Sequence, residues 1–343
     1  MIIIYFMKNF TPELLKRKIV IISDYVNPAQ YSKKDLIDEN AFIDTVKKQI
    51  QKYGVQTIYA EVKDTIDLEK TLEEFTKDEI LIFNWCEFLE EKEGTSHLVT
   101  RFLENLGYIF TGASTQCLLL TNGKERTKQK LIEQSIPTPK YTVISADTDL
   151  NTIALGYPIM LKLEDRHSSA GITAENVVYN SSQLDVVSKK LLNYYHTNVL
   201  AEEFINGPEY TVTVWGNGPT TSILNCSLVS FVNPKLGIID TEVSKFVTDS
   251  EEHTNTLTSS VIDGNIIKEI SETILRTYAA LNFSDYGRFE LREKNGTYYV
   301  IDCNPNPWLG LDSVLFKGAK KLGYNYGETL LQICEFAVKR NMQ

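Results

Sequence analysis

Apolar and polar positions along the first third of the chain alternate between two periods. KIVIIS (18–23) is a short, continuously apolar run of the buried-strand type. Residues 34–53 follow with Leu36, Ile37, Ile43, Val46 and Ile50 at near-helical spacing, and Gly54 closes the segment. VQTIYA (55–60) and EILIFN (79–84) read as further strands, separated by a helical stretch from Leu68 to Phe75. Strands alternating with helices predict a parallel sheet. A turn-rich stretch at Thr111–Ser114 ends this unit.

Lys124–Gln134 is predicted helical, and Ile136-Pro137-Thr138-Pro139 stops it, because proline disfavours helix at the preceding residue. From 141 to about 205, strands and one amphipathic helix (Ser182–Tyr194) predict a small α+β layer. The remainder contains two clear strands, a hairpin, and a helix from Tyr326 to Lys339.

Composition narrows the partners. The 343 residues are 43% apolar and 23% charged, ordinary globular values that exclude disorder and fibrous repeats. Thirty-five Lys and Arg against 45 Asp and Glu leave a net charge of −10, a poor match to nucleic acid. MIIIYFM is cut off by Lys8 and lacks a basic leader, so it does not read as a signal peptide, and Met7 is a second candidate start. No apolar run approaches the roughly 18 residues a bilayer span needs, so no membrane partner is expected. The five cysteines are scattered and contain no Cys-x-x-Cys pair, which fits free thiols in a reducing cytoplasm. No Gly-x-Gly-x-x-Gly follows the first strand, so a dinucleotide fingerprint is absent.

The chemistry concentrates in DYGRFELREKNGTYYVIDCNPNP (285–307). Two apolar-alternating runs flank Lys294-Asn295-Gly296, a hairpin signal. Arg288 and Glu290 share a face of the first strand, as Asp302 and Asn304 do on the second. A two-residue Asn295-Gly296 turn would set Glu290 opposite Ile301 and send Asp302 to the other face. An odd-residue loop, or a bulge, aligns Glu290 with Asp302, and that alignment is the expectation. Two carboxylates and an amide oxygen then suit a hard cation, Mg²⁺ or Mn²⁺, shared with a nucleotide's phosphates. On these residues alone an exposed hairpin with solvated charges reads equally well. Pro305 and Pro307 favour the site, because they stop ladder pairing and stiffen the backbone where rigidity is needed.

This hairpin resembles the metal-binding strands of the ATP-grasp ligases, especially their D-alanine–D-alanine ligase branch. GYPIMLKLEDRHSSAGIT (156–173) is similar to that branch's lysine strand and Ser-Ser-x-Gly loop, and VLAEEFINGPEYTV (199–212) to its adenine hinge and ribose-binding glutamate. The resemblance covers about residues 120–335. It implies an α/β fold, α+β in parts: a Rossmann-like substrate domain (1–113), a central ATP-grasp subdomain (114–204) and a C-terminal metal and catalytic domain (205–343).

Residue by residue, the resemblance implies that Lys124 and Lys162 contact ATP phosphates, which Ser168, Ser169 and Gly171 cover as a loop. Glu202, Glu203, Phe204 and Ile205 form the adenine hinge, and Glu209 accepts from the ribose. Glu290, Asp302 and Asn304 hold Mg²⁺ or Mn²⁺. Arg288 stabilises an oxyanion and contacts substrate, Ser313 binds the second substrate's carboxylate, and Lys245 approaches the γ-phosphate with Ser169 as a catalytic group. The implied activity is carboxylate–amine ligation through an acyl phosphate, with small-molecule substrates and room for a homodimer.

The first third departs from that branch. DYVNPAQYSKKD replaces its Gly-Gly-x-Ser-x-Glu pattern, FNWCEFLEEKEGT its His-Gly segment, Phe246 its loop tyrosine, and Trp308 a glycine. ATP and metal groups are kept while donor-recognition groups are lost. The expected activity is therefore ligation of amino acids or related small carboxylates. A divergent D-alanine–D-alanine ligase of cell-wall synthesis and a non-catalytic ATP-binding regulatory protein are the alternatives.

Overall fold

Three sheets organise the chain, and period-two alternation decides what each face meets. The computed structural model describes residues 10–25, 33–90, 92, 94–166, 170–231, 239, 256–261 and 263–342. A short helix α1 (Pro12–Leu15) leads into β1 (Lys18–Asp24), which lies between β2 (Thr57–Val62) and β3 (Ile80–Asn84), all parallel. The helices α2 (Lys33–Gln51) and α3 (Thr65–Leu72) match the pattern predicted from sequence, and α4 (Ser96–Leu106) adds a helix that patterning did not single out. Val20, Ile22, Ile80 and Ile82 pack on Leu68 and Leu72 of α3 and on Val99 and Leu103 of α4. Ile19, Ile21, Leu81 and Phe83 face the other way, onto Val46 and Ile50 of α2. Both faces are covered, which is why β1 reads as an unbroken apolar run.

Next come the helices α5 (Thr115–Thr121) and α6 (Lys124–Glu133). The second sheet is antiparallel, ordered β4 (Tyr141–Ile144), β7 (Val199–Glu203), β5 (Ile159–Leu163), β6 (Val177–Val178). Ile159, Leu161, Leu163, Val199 and Ala201 turn inward to Leu184, Val187 and Leu191 of α7 (Ser181–Tyr195). Met160, Lys162 and Glu202 are thereby left on the opposite face.

The third sheet runs β10 (Thr256–Ser260), β9 (Ser222–Phe231), β8 (Glu209–Trp215), β11 (Tyr286–Lys294), β12 (Thr297–Asn304), again antiparallel. Val212, Val214, Phe289, Leu291 and Val300 form its apolar face, packed on Ile270 and Ile274 of α8 (Gly264–Ala280). Helix α8 is missing from the elements predicted by patterning, although Ile266, Ile270 and Ile274 recur at helical spacing after the N-cap Asp263. Cys117, Leu118 and Leu131 of α5 and α6 join the same apolar cluster. The chain ends in α9 (Val314–Lys321) and α10 (Tyr326–Arg340). Helix α10 packs Leu330, Ile333, Cys334 and Val338 into the cluster that holds Ile19 and Phe83. The last helix therefore completes the core of the first sheet.

A buried carboxylate fixes that long-range closure. Asp285 is fully buried and accepts from the Gly112 amide (2.8 Å) and Asn217 Nδ2 (2.7 Å), and it pairs with Arg340 at 3.1 Å. One side chain thus joins the end of the first sheet's unit, the turn after β8 and helix α10. All five cysteines are buried and free. Among the described residues no helix is long and apolar enough to cross a membrane. Asp285→Ala leaves Arg340 without its partner, so a loss of about 3–5 kcal/mol is expected in urea unfolding. An unchanged midpoint would show that the closure does not depend on this carboxylate.

Candidate active site

Hairpin geometry assembles the site. Asn295 (φ 54°) and Gly296 (φ 78°) form a two-residue turn, pairing Lys294 with Thr297 and Leu291 with Val300. Such a turn alone would send Asp302 to the apolar face. The register shifts after Glu290, and the extra residue Ile301 restores the opposition of Glu290 to Asp302 and of Arg288 to Asn304. The alignment expected from sequence is present, and a β-bulge produces it. Across the other edge of β11, Arg288, Glu290 and Arg292 stand opposite Thr213, Thr211 and Glu209 of β8. The third sheet is thus apolar toward α8 and polar toward the second sheet.

Between those two sheets lies a cleft of about 910 Å³, its open mouth included. Lys124, Lys162, Glu202–Ile205, Glu209, Arg288, Glu290, Asp302 and Asn304 all line it. Residues separated by up to 180 positions in the chain are brought together here. Ser168, Ser169 and Lys245 lie outside the described residues. Ser313 does not belong to the lining; it is buried at the N-cap of α9, where its hydroxyl accepts from the Phe316 amide at 3.1 Å.

The lysine strand is held by charge pairing that the sequence reading missed. Lys162 Nζ lies 2.5 Å from Glu202 Oε1, and Lys128 Nζ lies 2.6 Å from Glu202 Oε2. Lys128 and Glu202 are buried and the Lys162 side chain is only 11% exposed, so an unpaired charge here would be costly. Burial pushes the Glu202 carboxyl up, but Lys128 and Lys162 together outweigh it and hold it below the ordinary range. Burial likewise pulls Lys162 down, yet Glu202, Asp302 and Glu290 raise it above the ordinary lysine value. Lys162 therefore enters the cleft as an ammonium. It also donates to the carbonyl of the bulge residue Ile301 at 3.4 Å. Lys124, the first residue of α6, donates to the Arg166 carbonyl; burial lowers its pKa, and Asp302 opposes that shift. Glu202, expected from sequence at the hinge, is in the structure the counter-ion to Lys162 and Lys128.

Arg292 is the other residue not singled out from sequence. Its Nε donates to Glu209 Oε2 at 2.8 Å, and its guanidinium lies 4.8 Å above the Phe204 ring. It also donates to the Ile205 carbonyl at 3.3 Å, tying the segment after β7 to the β11–β12 hairpin. The signal was its spacing, two residues beyond Glu290 on the same face. Nearer the turn into α9, Tyr286 donates to Asn306 Oδ1 (3.0 Å), and the Asn306 amide donates to Asn304 Oδ1 (2.9 Å). Asn304 thus presents a fixed amide oxygen beside the two carboxylates. Arg288 lies 3.3 Å from Glu290, and among the described residues its buried Nε has no hydrogen-bond partner.

Residues 131–335 match the family D-ala D-ala ligase C-terminus. A D-alanine–D-alanine ligase from Marinomonas sp. (strain MWYL1) is 31% identical over 248 residues, covering 71% of this chain and 74% of its own. The uncharacterized protein y4sG of Sinorhizobium fredii (strain NBRC 101917 / NGR234) is 24% identical over 304 residues, 87% of each chain. Among solved structures, a D-alanine–D-alanine ligase from Bacillus anthracis complexed with ATP superposes with a TM-score of 0.74 at 19% identity. That likeness spans 95% of this chain and 99% of the other, and it shows a shared ATP-grasp fold.

Replacing Glu202 with Gln leaves the buried Lys128 and the largely covered Lys162 without their shared counter-charge, so Glu202→Gln is expected to cost about 3–5 kcal/mol in urea unfolding. The sign with pH follows from the lowered carboxyl. Its stabilisation is complete above the ordinary glutamate value, about 4.3, and is lost as pH falls through the lower folded value. The gap between wild type and variant should therefore narrow only below that pH; a gap independent of pH would contradict the ion-pair account.

Proposed function

The chain belongs to the D-alanine–D-alanine ligase family, whose members are ATP-dependent carboxylate–amine ligases, and we propose that it joins amino acids or related small carboxylates through an acyl phosphate. The observation that carries this reading is the bulge-set layer of Arg288, Glu290, Asp302 and Asn304, facing Lys162 across the cleft. A protein that merely bound nucleotide would have no use for Arg288 in that layer.

ATP would lie with adenine against Glu203–Ile205 and its ribose at Glu209, with the phosphates between Lys124 and Lys162. The donor set fits Mg²⁺ or Mn²⁺: two carboxylates and one amide oxygen, all hard, with room for phosphate oxygens to complete the shell. Glu290, Asp302 and Asn304 would hold the metal, which neutralises phosphate charge when bound. Ser168, Ser169 and Lys245 would act at the phosphates, and Ser313 at a substrate carboxylate, on the family resemblance.

Bare carboxylate and amine react poorly, because oxide is a bad leaving group and the negative charge repels nucleophiles. A carboxylate oxygen therefore attacks the γ-phosphorus, and ADP leaves. The amine nitrogen then adds to the acyl carbon, loses a proton, and expels phosphate as the C–O bond breaks. Lys162 meets the phosphate charge during the first step. Arg288 would donate to the oxyanion formed in the second, from a nitrogen held without a competing partner. The buried free thiols agree with a cytoplasmic setting.

A D-alanine–D-alanine specificity is the second reading, favoured by the name of the Marinomonas relative. Against it stand the altered segments after β1 and β3 and the ring of Trp308. Screening pairs of amino acids with ATP and Mg²⁺ should give phosphate release and a product lighter than its two substrates by one water. Glu290→Gln is expected to lower turnover by about 100-fold or more, since it removes a charged ligand from the proposed metal site. Bound ATP without phosphate release for any pair, D-alanine included, would overturn the ligase reading.

A further inference from the structure

Strand β11 acts as a ruler for the substrates. Successive cleft-facing residues are roughly 7 Å apart along a strand. Arg292 lies at the hinge end, bonded to Glu209 and Ile205; Glu290 comes next, and then Arg288 opposite Asn304. With adenine at the hinge and phosphates at Glu290, the atoms that receive the phosphoryl group lie toward Arg288. Any amino-acid side chain attached to them extends further the same way. One step past Arg288 on the same face, Tyr286 donates to Asn306 Oδ1, so the chain leaving Asn304 continues in that direction, and Trp308 follows two residues later.

Trp308 is held in an unusual state for a large apolar residue. It is 49% exposed, yet its ring stacks on Phe42 of α2 at 5.0 Å, and its Nε1 donates to Asp312 at 2.9 Å. Trp85, just after β3, contacts the same cluster at 6.1 Å. Gly310 is required beneath it: a Cβ there would sit 2.4 Å from the indole. A ring fixed by stacking, a hydrogen bond and a glycine, with half its surface open, is a preorganised apolar platform. Its partners come from the first sheet's unit, the part of the chain least like its relatives.

The geometry points to Trp308, backed by Phe42 and Trp85, as the specificity wall for one amino-acid substrate, which selects a large apolar or aromatic side chain over alanine. This rests on the ligase reading above. The wild type should show kcat/KM at least tenfold higher for phenylalanine or leucine than for alanine, as donor or as acceptor. Trp308→Ala should move that ratio at least tenfold toward alanine, and Trp308→Phe should restore most of it. Calorimetric binding of phenylalanine, with a non-hydrolysable ATP analogue present, provides a readout that needs no turnover. Binding abolished in Trp308→Ala but kept in Trp308→Phe supports the wall even if ligation fails for every pair, an outcome that would sink the ligase reading alone. Ligation with a preference for alanine, an unmoved ratio, or no binding of any large apolar amino acid would overturn the inference. Near-ultraviolet circular dichroism and the thermal midpoint establish that each variant is folded.

Discussion

Glu202 is the constraint around which the cleft is built. It lies on the central strand of the second sheet, with one oxygen toward Lys162 of β5 and the other toward Lys128 of α6. A carboxylate or an ammonium buried singly here would neutralise, and the strand would lose its charge. Together the three groups keep Lys162 cationic and aimed at Glu290 and Asp302. The same contacts lock helix α6 to the second sheet, which places Lys124 at the mouth of the cleft. Charge balance in this one cluster thus sets the geometry of the lysine side of the cleft.

The second requirement is a single inserted residue. The favoured Asn-Gly turn and the functional facing of Asp302 are incompatible in a regular ladder, and Ile301 reconciles them. Its carbonyl, displaced by the bulge, is also the one that accepts from Lys162. Stability on one face and chemistry on the other therefore share the same strands. Phe289 and Leu291 anchor the hairpin to α8, while Arg288 and Glu290 stay available to the cleft.

An acidic chain with a formal charge of −10 nonetheless offers a site for a polyanion. The resolution is local: Lys124, Lys162 and Arg288 concentrate positive charge within the cleft, where field lines are focused. Phe42, Trp85 and Trp308 meet at the junction between the first sheet's unit and the hairpin. Aromatic packing across that junction joins the closure made by Asp285 and α10, so the first sheet's unit is held at two places.

Much of this could be read from sequence, because it is local. KIVIIS, the helix before Gly54, the Asn-Gly hairpin and the proline-stopped end of the hairpin follow from periodicity and backbone sterics over a few residues. Oxygen donors two apart on each strand already suited a hard cation, while the phosphate role of Lys162 came only with the family resemblance. Helix α8 carried its signal too. By contrast, Lys128 stood among several lysines on a polar helix, and its choice of Glu202 is a contact across 74 positions. The bulge at Ile301, the docking of α10 under the first sheet, and the meeting of Phe42 with Trp308 were likewise decided by tertiary structure. Residue type and spacing determine which groups are available and which face of an element they share. Which groups meet depends on burial, charge balance and packing between distant elements, and those energies exist only once the chain has closed.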